Sequence, residues 1–164
     1  MNTDLLLRDH LVKLLSWRSA HVSFDDAING IPPEMHGQQH QDLPFSLWQL
    51  LEHLRLAQYD ILDFCRNPDY TEGVWPDDYW PDAPAPPSPE AWNTSLARFR
   101  EDLQAMQDLV ADTGTDLYAP IPHGDGQTIL REALLLADHN AYHVGQIVAV
   151  RRLLGLWPPL SNDS

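Results

Sequence analysis

Lysine is almost missing from this chain: Lys13 stands alone among 164 residues, beside nine arginines and against 24 acidic residues. The formal net charge of −14 leaves no basic face for a phosphate backbone, which excludes nucleic acid as a partner. Cysteine is nearly as scarce. The single Cys65 excludes an internal disulfide, and its neighbours Ile61, Leu62 and Phe64 make it a core thiol, not a nucleophile. No apolar run reaches the length of a membrane span, and Met1-Asn2-Thr3-Asp4 lacks the basic start of a signal peptide. A cytoplasmic protein with no membrane partner is the expectation. No segment alternates like a strand, no repeat recurs, and Gly124-Asp125-Gly126 reads as a tight turn, not a phosphate cradle.

What is present is helical. The length and an apolar fraction of 43% suit one domain over residues 1–164. Thr3 caps a first helix over about 3–20, with Leu7, Leu11, Leu14 and Leu15 as its core stripe and His10 as an interface histidine. Ser46 and Gln49 form a capping box opening a second helix over about 46–65, whose buried face is Leu47, Leu50, Leu51, Leu54, Ile61 and Leu62. Ser88-Pro89-Glu90 opens a third over about 88–112, and Thr128 caps a fourth over about 128–154. Gly155, Pro158 and Pro159 end the fourth helix.

The connections are long. Ser23-Phe24-Asp25-Asp26 predicts one short helical turn closed by Gly30, after which Pro32, Pro33 and Gly37 forbid regular structure. Residues 67–89 are rich in proline, acid and aromatics. Tyr70, Trp75, Tyr79 and Trp80 carry too much apolar surface for a linker, so the segment is expected to be an ordered loop folded back on the bundle; closure over one end of a site is left open by the sequence. Four helices with two connections longer than twenty residues predict an all-α four-helix bundle with crossover loops.

His139 and His143 carry the chemistry. Four residues apart on a helix, their rings lie one turn apart on one side, as two ligands to one ion must. Their helix is apolar nearly all round, which predicts burial, and buried imidazoles need a partner. His53, on the second helix beside the small Ala57, stands at the edge of the buried face as a third ligand. Three imidazoles with one position open is the pattern of a catalytic metal site, fitting zinc, nickel or another late divalent ion. Asn140, Gln146, Glu132 and Asp60 are candidates to orient the rings. His36 and His40 share the four-residue spacing but sit beside Gly37 in what reads as an exposed polar loop, so they are not taken as ligands.

Two motifs in order, Pro44-Phe45-Ser46-Leu47-Trp48-Gln49-Leu50-Leu51-Glu52-His53 and Asp138-His139-Asn140-Ala141-Tyr142-His143-Val144-Gly145-Gln146-Ile147, resemble the DinB-like superfamily. Tyr79-Trp80-Pro81 and Pro120-Ile121-Pro122-His123-Gly124-Asp125-Gly126-Gln127-Thr128 resemble one bacterial branch of it, so the likeness runs from the first helix to Pro159. The resemblance implies a bundle of up-down-down-up topology. It also implies one divalent ion per chain, commonly nickel or zinc, on the positions matching His53, His139 and His143. Members are often homodimers. Relatives include thiol S-transferases and the mycothiol-dependent maleylpyruvate isomerase, which use the metal to activate a low-molecular-weight thiol.

The leading expectation is therefore a metal-dependent thiol S-transferase, with Arg55 or Arg131 as a receptor for a carboxylate of the thiol. A metal-dependent hydrolase with Glu132 or Asp60 as base is its variant. The alternatives are a non-catalytic, stress-associated metal-binding protein and a plain helical dimer with hydrogen-bonded histidines.

Overall fold

Three of the long helices start just after the residue whose side chain caps them; at the first helix Thr3, expected as the cap, is already helical and Asn2 Oδ1 accepts from the Asp4 N–H. The computed structural model describes residues 2–16 and 20–158. Thr3–Ser16 is α1, Phe24–Ile28 the short α2, Leu47–Arg66 α3, Pro89–Ala111 α4 and Ile129–Leu153 α5, with one 3₁₀ turn at Pro33–Met35. The Ser46 hydroxyl accepts from the Gln49 N–H while the Gln49 side chain accepts from the Ser46 N–H, completing the predicted capping box. The Ser88 and Thr128 hydroxyls accept from the N–H groups of Ala91 and Arg131 and so cap α4 and α5. Ser23 caps α2, and Gly30 turns the chain with φ of 70°. The first helix was expected to reach about Ala20. Residues 17–19 lie outside the described part, as does Pro159, and Ala20 is not helical.

The described residues form an all-α bundle, and no strand occurs among them. Its order follows from the pairings. α1 packs on α4 and α5, and α3 packs on the same two, which leaves α1 and α3 at opposite corners. Arg8 bonds the carbonyl of Val110 and Gln107 bonds that of Val12, so α1 and α4 run antiparallel. Glu52 meets Ser95, and Gln58 meets the carbonyl of Phe99, so α3 and α4 run parallel. His123, just before α5, bonds the carbonyl of Phe64 near the end of α3; α5 therefore runs back along α3.

The apolar interior has two storeys. Leu47, Leu50, Leu51, Leu54, Trp92, Phe99, Val144 and Ile147 make one, joined by Phe24 and Ile28 of α2. Leu11, Leu15, Leu62, Met106, Val110, Ala133 and Leu136 make the other. Gln58 and Asn140, both fully buried, fall between them.

Some expectations change. Leu14, Leu134, Leu135 and Leu153 are exposed, so α5 is not buried all round: its outer side faces away from both storeys. His10 is exposed as well. The buried charged residue of α1 is Arg8, which donates to the carbonyls of Val110, Asp112 and Thr115 and so ties down the end of α4. His36 is buried, not exposed, because its ring stacks on Trp92 at 3.6 Å between centroids. No described helix is long and apolar enough to cross a membrane.

Candidate metal centre

His53 lies on α3 between Leu50 and Leu54, and the structure places it in the interior with 2% of its surface exposed, not at an edge. The predicted pair of rings, His139 and His143, arrives from α5 as the spacing requires. His53 Nε2 lies 3.1 Å from His143 Nε2 and 3.1 Å from His139 Nε2. The three side chains each present one nitrogen, all within 4.8 Å of one another, so they could hold a metal ion.

The other ring nitrogens decide what those contacts are. His53 Nδ1 lies 2.9 Å from the carbonyl oxygen of Tyr79. His143 Nδ1 lies 2.7 Å from Gln146 Oε1, and His139 Nδ1 lies 3.2 Å from Asn140 Oδ1. An oxygen acceptor requires each Nδ1 to carry the proton and donate it. Each Nε2 is then a bare lone pair. Three lone pairs facing one another cannot hydrogen-bond; a cation placed among them satisfies all three at once. Tetrahedral zinc with metal–nitrogen bonds of about 2.0–2.1 Å sets its nitrogens roughly 3.3 Å apart, close to the spacing found.

The amide orientation at His139 is itself fixed. Gln58 Nε2 donates to the carbonyl of Phe99 at 2.6 Å, so Gln58 Oε1 faces Asn140 and accepts from its Nδ2 at 3.0 Å. Asn140 Oδ1 is left for the histidine. Gln58 was not foreseen, although a glutamine between Leu54 and Leu62 on an otherwise apolar stripe marks it.

Burial keeps the rings neutral. Removal from water pushes His53 down to about 4, with the neighbouring histidines adding to the effect and the Tyr79 contact opposing it. His143 is likewise lowered to about 4, first by burial and then by His139. His139 is lowered mainly by burial. Neutral imidazole is the form that binds metal.

The segment 67–88 folds back on the bundle, as expected of its aromatic content, and its Trp80 lies over the site. Trp80 stacks on His53 at 3.8 Å and 7° between planes, and Phe45 stacks on the far side of Trp80 at 4.6 Å. Gln49 Nε2 donates to the carbonyl of Pro81, and the Ser46 hydroxyl donates to that of Pro84, so the cap of α3 also fastens the loop. Gly37 is needed there: a Cβ at that position would sit 2.5 Å from the Ala85 Cβ.

Between this loop, α3 and α5 lies a pocket of about 690 Å³ with the three rings in its wall. Phe45, Trp75, Tyr79, Trp80 and Tyr142 supply its other aromatic lining. Other expectations fail here. Glu132 pairs with Arg131 and does not line the pocket, because it sits well before His139 on α5. Arg55 is bound to Glu52, which also accepts from Ser95 of α4; neither arginine reaches the pocket. Asp60 does line it, but accepts from the Tyr70 hydroxyl at 2.9 Å and orients no histidine.

Comparison with known proteins agrees with this picture. A family model described as the DinB superfamily matches residues 17–147. No curated protein and no solved structure matches the chain.

Proposed function

Because this chain belongs to the DinB superfamily, we propose that it is a divalent-metal protein whose His53, His139 and His143 hold one zinc or nickel ion for transfer chemistry on a low-molecular-weight thiol. The observation that carries the reading is the set of three Nδ1 protons, each committed to an oxygen, which leaves three Nε2 lone pairs converging in the wall of a pocket. A bound divalent ion supplies Lewis acidity, lowering the pKa of a thiol that reaches it.

The chain's own residues do the remainder. The Tyr79 carbonyl, Asn140 and Gln146 keep the rings in the metal-binding tautomer. Trp80 and Phe45 close one side of His53 against water. The aromatic wall offers apolar surface for the body of a ligand. A hydrolase reading is less well supported, since Glu132 lies outside the pocket and Asp60 sits two helical turns from His53. A purely structural metal is the second reading, favoured by the burial of His53 and His143.

Elemental analysis of untagged wild type beside His139→Ala tests the site. One divalent ion per wild-type chain and loss of it in the variant are expected. A wild type that cannot be loaded with zinc or nickel refutes the reading. Thiol-dependent turnover by the loaded protein then separates transfer chemistry from a structural role.

A further inference from the structure

His53, Ala57, Asp60 and Ile61 fall on one side of α3 and together line the pocket. Asp60 follows His53 by seven residues, which places it roughly 10 Å farther along the helix. Ala57 stands between them, and its methyl leaves the floor of the pocket open. The pocket is thus a trough with three imidazole nitrogens at one end, a carboxylate at the other and apolar walls between.

The charges are one-sided. Asp60 is the only charged side chain among the described residues of the lining; no lysine or arginine joins it. The acids Glu72 and Asp63 lie near it, and burial holds its carboxyl above the ordinary range, offset only in part by the hydroxyls of Tyr70 and Tyr79. Among the described residues no cation pairs with this carboxylate, and a cationic group on a ligand in the pocket would supply the opposite charge. The same lining carries the aromatic rings of Trp75, Tyr79 and Tyr142, a wall that suits a cationic ligand better than an anionic one, since aromatic faces attract cations. A ligand carboxylate would meet Asp60 and a chain of net charge −14 with no cation to receive it.

We propose that this pocket selects a ligand with a metal-ligating group at one end, a short apolar spacer, and a protonated amine at the other that pairs with Asp60, and that it discriminates against ligands ending in a carboxylate. The proposal rests on the metal site described above. It assigns the ligand's far end, which the three histidines do not determine.

Three six-carbon thiols isolate that far end: 6-amino-1-hexanethiol, 1-hexanethiol and 6-mercaptohexanoate. Their binding to cobalt(II)-substituted protein is read from the thiolate-to-cobalt absorption band, the thiol proton passing to solvent as the sulfur binds. The expected order of affinity is amine, methyl, carboxylate, with the amine favoured over the methyl by roughly tenfold or more. Asp60→Asn should reduce amine and methyl to equal affinity while retaining one cobalt per chain. The assignment of the far end is overturned if the three thiols bind equally, if the carboxylate binds best, if Asp60→Asn leaves the preference intact, or if no thiol produces the band. In each of those cases retained cobalt, lost in His139→Ala, leaves the metal site standing. A wild type that takes up no cobalt removes both.

Discussion

What fits His53, His139 and His143 to hold an ion is what the other nitrogen of each ring does. Gln146 holds the Nδ1 proton of His143, and removing that acceptor frees the ring to adopt either tautomer. Gln146→Ala is expected to weaken metal binding roughly 10–100-fold, measured by competition with a chromophoric chelator. Asn140 holds His139 and also satisfies Gln58, so Asn140→Ala should weaken metal binding and in addition cost about 1–3 kcal/mol in urea unfolding of the metal-free protein. The rings also set a pH dependence. His53 and His143 titrate near 4 in the folded chain, below the ordinary 6.5, so the unfolded chain takes up protons first as pH falls. The metal-free protein is therefore expected to keep its stability above about pH 6.5 and to lose it progressively down to about pH 4. Denaturant midpoints across that range check this, and a midpoint that rises on acidification would contradict it.

At the scale of elements, the sequence reveals the helices more readily than what joins them. Ser46 with Gln49, Ser88 with Pro89, and Thr128 mark their starts by side-chain chemistry acting within one turn, which is why a local reading finds them. The pairing of His139 and His143 is legible for the same reason. Non-local contacts are harder to read. His36 looks like loop until Trp92, far along the chain, stacks on it, and Arg8 looks like surface until the end of α4 is brought against it. The acceptor for His53 is a main-chain oxygen, which no residue type announces. The loop over the site is held by contacts that can be cut one at a time. Gly37→Ala forces a methyl against Ala85 and should cost about 1–3 kcal/mol while speeding metal release to a chelator. Trp80→Ala uncovers one side of His53 and should speed release further; stopped-flow chelation compares the two.

Across the whole molecule, the ion is expected to act as a ligand of the folded state alone. Metal at 100 times its dissociation constant should add about 2.7 kcal/mol, a rise of roughly 5–11 °C in Tm for a chain of this size. Calorimetry with and without chelator measures it. The bundle's topology has a further consequence. Parallel α3 and α4 oblige the chain to travel back along the bundle between Arg66 and Pro89. α3 has 20 residues, a length of roughly 30 Å, whereas the residues from Asn67 to Ser88 span up to roughly 70 Å when drawn straight. More than half of that contour is slack, surplus to the connection, and the slack is what lies over the histidines. The return path and the cover are therefore separable: a chain shortened there by a few residues still has reach enough to close the bundle, with its metal-binding face left open to solvent.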